Sequence, residues 1–118
     1  MSTAADLVSK AKSRIREITP QELSAKLAGV TVIDVREAEE FQAGHLPGAI
    51  NIPRGLLEFR VDGHPVVSDR ERAIVLQCQG GGRSALATVA MQELGYKDVT
   101  NLAGGYAAWA AAGLPTQR

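Results

Sequence analysis

The chain has 118 residues, 45% of them hydrophobic and 22% charged, with thirteen basic and thirteen acidic side chains and one cysteine. That length supports one domain with a real core, and the composition excludes a disordered chain. A formal charge of zero leaves no electrostatic footprint for nucleic acid, and a lone cysteine excludes an internal disulfide or a CxxC redox pair. With only His45 and His64 beside Cys78, a structural zinc site is not expected either, and no metal or organic cofactor is implied.

The stretch from Ala4 to Ile18 is interrupted by Asp6, Lys10, Lys12, Arg14, Arg16 and Glu17, so it does not read as a signal peptide. No apolar run approaches the roughly 18 residues needed to span a bilayer. The expectation is a cytoplasmic protein with a reduced thiol and with neither a membrane nor nucleic acid as partner. Ala4, Leu7, Val8, Ala11 and Ile15 recur at helical spacing with basic residues elsewhere on the wheel. Residues 1–16 are therefore assigned to an amphipathic helix packed on the domain, and residues 17–118 to the domain itself. Thr19-Pro20-Gln21-Glu22 predicts a second helix start, with Thr as cap, Pro in the first turn and Glu three after the cap, running to Gly29.

Val30 to Val35 is a nearly continuous β-branched run, the signature of a buried strand. Glu37 to Ala43 predicts a short acidic helix stopped by Gly44; His45 to Gly48 is a turn and Ala49 to Ile52 a short strand closed by Pro53. Leu56, Leu57 and Phe59 suggest a further short helix before a polar loop around Gly63, Pro65 and Ser68. Ala73 to Leu76 is a second buried strand and Ser84 to Leu94 the strongest helix, followed by a strand at Val99 to Leu102 and a terminal helix from Tyr106 to Ala112. Strands alternating with helices over short loops imply a mostly parallel sheet covered on both faces, in one α/β domain.

The chemistry concentrates in Gln77-Cys78-Gln79-Gly80-Gly81-Gly82-Arg83-Ser84, between a buried strand and the strongest helix. Successive glycines let backbone N–H groups converge as an anion-binding nest, and the following helix adds its positive dipole end. Arg83 brings a permanent charge and a planar donor fork suited to a sulfonate- or phosphate-like oxyanion. Each of these favours thiolate over thiol at Cys78, so its activation is expected to be electrostatic, with no His preceding it and no triad in view. A nucleotide-binding P-loop is excluded, because no Gly-Lys-Ser/Thr ending is present.

Cys78-x-x-Gly81-x-Arg83-Ser84 resembles the active-site loop of the rhodanese (thiosulfate sulfurtransferase) family. Val32-Ile33-Asp34-Val35-Arg36 with Gly44 to Pro53, and Asn101 to Trp109 with Gly113-Leu114-Pro115, resemble its other signatures, so that the likeness covers about residues 17–115. The resemblance implies a five-stranded, mostly parallel sheet with helices on both faces. It also implies that the Cys78 thiolate attacks the outer sulfur of thiosulfate, or another sulfane donor, and keeps it as a persulfide before passing it to cyanide or a thiol. By the same resemblance Arg83 binds the anionic end of the donor, while Gln79, Gly80, Gly81, Gly82 and Ser84 line the persulfide cradle. Asp34 and Arg36 brace the loop or else form a surface ion pair. Ser84 has two open roles, donor to the sulfur or plain helix cap. Arg54 and Glu58 fall in a segment that in the family approaches the pocket; His45 reads as structural, His64 as a loop residue, and Tyr106 and Trp109 as packing anchors.

With no second cysteine, the sulfur must leave to an outside acceptor such as cyanide, glutathione, a thioredoxin-like protein or a biosynthetic partner. Two other readings stand beside this one. A non-catalytic rhodanese-like sensing or interaction module usually lacks the cysteine that is kept here. A phosphatase or arsenate reductase of the related cell-cycle type has a longer span than the four residues, Gln79 to Gly82, that separate Cys78 from Arg83.

Overall fold

A computed structural model describes residues 2–118. Helix α1 (Ala4–Lys12) begins at a reciprocal cap, in which the Thr3 hydroxyl accepts from the Asp6 amide and the Asp6 carboxylate accepts from the Thr3 amide. It ends short of the span predicted for residues 1–16, because the chain turns at Ser13 and Arg14, whose amide donates to Ala11 O at 3.0 Å. Arg16–Ile18 then form strand β1, which the residue pattern did not reveal. Three residues with one buried side chain are too few to show a period.

Helix α2 (Pro20–Lys26) follows a second reciprocal cap, Thr19 with Glu22, as the sequence predicts. The remaining elements are β2 (Thr31–Asp34), α3 (Ala38–Ala43), β3 (Ile50–Asn51), α4 (Leu57–Val61), β4 (Ala73–Gln77), α5 (Gly82–Glu93), β5 (Asp98–Leu102) and α6 (Gly105–Ala111). The four strands predicted from sequence lie within one residue of their expected ends. Helix α5 starts ahead of the predicted Ser84, because Gly81 in the left-handed conformation takes the cap position.

The sheet order is β1-β5-β4-β2-β3, and every neighbouring pair is parallel. Alternate side chains of the central strands feed two cores. Ile33 and Val35 with Ile74 and Leu76 pack against Leu57, Val61, Ala87 and Met91 on one face, the side of α4 and α5. Val32 and Val75 meet Ile18, Leu23, Leu102 and Trp109 on the other, the side of α2 and α6. Trp109 is fully buried and its indole N–H donates to Pro115 O at 2.8 Å. A buried aromatic of this kind contributes about 3–5 kcal/mol against truncation to Ala. Among the described residues, no helix is long and apolar enough to cross a membrane.

Candidate active site

Strand β4 ends at Gln77, so Cys78 emerges at the carboxyl edge of the sheet, where open α/β sheets bind their ligands. The side chain is buried, and its Sγ accepts from the Gly81 amide at 3.0 Å and the Ser84 hydroxyl at 3.3 Å. Burial pushes the thiol up, but the Ser84 hydroxyl and the amides of Ser84, Gly81 and Gly80 outweigh it and leave the group below its ordinary value. Ser84 therefore donates to the sulfur, while Gly81 caps α5. The turn depends on Gly81 at φ +99°, a left-handed conformation that residues with a side chain rarely adopt.

The loop turns its amides inward, and its carbonyls are satisfied from outside. Tyr106 N donates to Cys78 O at 2.8 Å and Ala107 N to Gln79 O at 3.0 Å, so the first turn of α6 closes on the back of the loop. Gly105 makes this approach feasible: at φ +62° a Cβ would collide with Cys78 O and lie 2.7 Å from Gln79 O. Asn101, at the end of β5, donates to Gly81 O at 3.1 Å and to Glu17 Oε2 at 2.8 Å, and Gln77 donates to Cys78 O at 2.9 Å.

Arg36 and Asp34 form no surface pair; they are 2% and 0% exposed. Arg36 Nε donates to both Asp34 oxygens at 3.1 Å, and its Nη2 reaches Asp34 Oδ2 at 2.8 Å and Gly44 O at 2.7 Å. Its remaining nitrogen, Nη1, donates to Gln79 Oε1 at 3.2 Å, and the guanidinium lies 4.5 Å over the Tyr106 ring. The pair thus ties the end of β2, the stop of α3, the loop and α6 together.

Arg83 is also engaged. Its Nη1 and Nη2 donate to the two carboxylate oxygens of Glu40 at 2.8 and 3.0 Å. The hydrogen bond from Arg83 holds the Glu40 carboxyl down at about 2, against its partial burial. Arg54 and Glu58 pair with each other at 2.9 Å and line a cavity of about 350 Å³ between α1 and α5, together with Leu7, Lys10 and Leu86. His45 stacks on Phe41 with centroids 3.7 Å apart and hydrogen-bonds Phe41 O through Nδ1 at 2.8 Å. His64 accepts from Val66 N at 3.0 Å within its own loop.

The family model for the rhodanese-like domain matches residues 19–112. The chain belongs to the rhodanese-like family. It is 44% identical over 103 residues to thiosulfate sulfurtransferase 16 of Arabidopsis thaliana, covering 77% of this chain and 82% of the relative. A sulfurtransferase of Allochromatium vinosum is 36% identical over 104 residues, covering 86% of this chain and 94% of the relative. Among solved structures, a Rhodopseudomonas palustris protein of unknown function, called a possible tyrosine phosphatase, aligns with a TM-score of 0.90 at 31% identity over 99% of this chain and 96% of its own. The likeness of fold and family fixes an α/β rhodanese-like domain with a five-stranded parallel sheet.

Within this rhodanese-like domain the Cys78 to Gly81 turn and the first turn of α5 bring the Gly81 amide and the Ser84 hydroxyl to the sulfur. Arg36 reaches Gln79 with Asp34 behind it, and the Arg83 side chain turns to Glu40. Three contributors escaped the sequence reading. Gly105 carried a signal, a glycine pair ahead of an aromatic residue, but it read only as a turn. Asn101 opened a segment with a family likeness but showed no role, and Glu40 carried no signal, since their partners lie far along the chain at Glu17 and Gly81, and at Arg83.

Proposed function

We propose that this protein is a sulfurtransferase that carries sulfane sulfur as a persulfide on Cys78. The rhodanese-like match and the relatives named sulfurtransferase support sulfur transfer in general. The observation that carries the mechanism is a buried sulfur that accepts from the Gly81 amide and the Ser84 hydroxyl at the mouth of a helix. The thiolate attacks the outer sulfur of thiosulfate; the sulfur–sulfur bond of the donor breaks and sulfite leaves with its electron pair. The terminal sulfur of the persulfide is then attacked by cyanide or a thiolate acceptor, which regenerates the Cys78 thiolate. The inward amides hold the negative persulfide without a proton donor. With one cysteine in the chain, the acceptor is an outside molecule, small or protein. A reducing compartment such as the cytoplasm belongs to this reading, because it keeps the lone thiol unoxidised between turnovers.

The Rhodopseudomonas palustris neighbour raises phosphatase chemistry as a second reading. Only four residues separate Cys78 from Arg83, a span that encircles one sulfur atom rather than a tetrahedral phosphate. The test is thiocyanate formation from thiosulfate and cyanide, with mass spectrometry of the intact chain after thiosulfate alone. The wild type is expected to gain one sulfur atom and to form thiocyanate, and Cys78→Ser to do neither. Unchanged turnover in Cys78→Ser removes the mechanism, and a wild type with no sulfur adduct favours a non-catalytic module.

A further inference from the structure

Neither arginine near the loop presents an empty end-on fork. Arg36 is buried, and each of its nitrogens already donates to Asp34, Gly44 or Gln79. Arg83 stands at the solvent boundary with its side chain 41% exposed, yet its end-on fork is occupied by Glu40, which takes one N–H of each terminal nitrogen and leaves the Nε side of the guanidinium open. Glu40 is not held there by Arg83 alone. Its Oε1 also accepts from the Glu37 amide at 3.0 Å, so the cap of α3 fixes the carboxylate in place whether or not the arginine is there. Exposed Glu37 and Glu39 flank it on the same turn. The carboxyl stays ionised at neutral pH, held down to about 2.

An anionic sulfur donor approaching Arg83 therefore meets a carboxylate already bound at the end of the guanidinium. Resting on the sulfurtransferase reading, we propose that Glu40 is a specificity-determining residue, an internal competitor for the Arg83 fork that disfavours donors in proportion to their negative charge. Thiosulfate, a dianion, is penalised more than a thiosulfonate, which delivers the same outer sulfur from a monoanion. Both run the same step: the thiolate takes the outer sulfur, and sulfite or sulfinate leaves with the bonding electrons. The site is thereby tuned toward donors of low charge.

The experiment measures KM and kcat for thiosulfate and for methanethiosulfonate, with cyanide as acceptor, in the wild type, Glu40→Gln, Arg83→Ala and the double variant. Gln keeps the oxygen that accepts from the Glu37 amide, so the cap of α3 survives the change. Glu40→Gln is expected to lower KM for thiosulfate about two- to five-fold, the factor a partly exposed ion pair is worth. The gain is smaller for methanethiosulfonate, kcat changes little for either donor, and in the Arg83→Ala background the gain shrinks, because only the repulsion between Glu40 and the donor is left to relieve. A KM for thiosulfate that is unchanged or raised in Glu40→Gln overturns the inference and makes Glu40 a prop for Arg83. Equal gains for both donors overturn it as well. No thiocyanate from either donor with any variant instead overturns the sulfurtransferase reading on which the inference rests.

Discussion

Cys78 sits between opposing influences, burial that disfavours the thiolate and donors that favour it, and the donors win. Ser84 is the side chain among them, so its removal tests the balance directly. In Ser84→Ala the thiol is expected to titrate at higher pH than in the wild type, read from the ultraviolet absorbance of the thiolate. Sulfur loading at neutral pH falls in step, because less thiolate is present. The sign also fixes a stability effect. The folded thiol titrates below the unfolded one, so its contribution is present at high pH and is lost as pH falls through the folded value. At this scale the sequence was legible where partners are neighbours: Cys78, Gly81 and Ser84 stand within seven residues and meet at the sulfur. Glu40 was not legible, because an exposed acidic helix turn looks the same whether its carboxylates face water or an arginine 43 positions away.

At the scale of elements, the site is a loop closed by a helix. The first turn of α6 supplies two donors to the carbonyls of Cys78 and Gln79, and only glycine at position 105 lets it come that close. Gly105→Ala is expected to push α6 off the loop and to cost about 1–3 kcal/mol through backbone strain and collision. Urea denaturation reads the loss of stability, and the yield of sulfur adduct on Cys78 falls with it. The buried strands were readable because β-branched runs such as Val30 to Val35 have few other fates. β1 was not readable, because Arg16-Glu17-Ile18 becomes a strand only by pairing with Thr100 to Leu102.

Over the whole molecule, two cores divided by one parallel sheet hold the carboxyl ends of β2 and β4 side by side, where Asp34 lies across from Gln77. α1 is stitched to the outside of this frame at α5: Ala11 is buried at 5%, and Gln92 donates to Arg14 O at 3.3 Å. Ala11→Glu places a charge in that seam. It is expected to destabilise the fold by about 1–3 kcal/mol in chemical denaturation, while the folded fraction still loads sulfur at the wild-type rate. The grip of α6 on the loop sets an order in time as well as in space. Ribosomes make Cys78 before Gly105, and a single domain folds as a unit, so the cradle closes only after α6 has been made. Until then the carbonyls of Cys78 and Gln79 lack their partners at Tyr106 and Ala107. The lowered thiol is thus a property of the finished fold, in which the Ser84 and Gly81 donors are held against the sulfur.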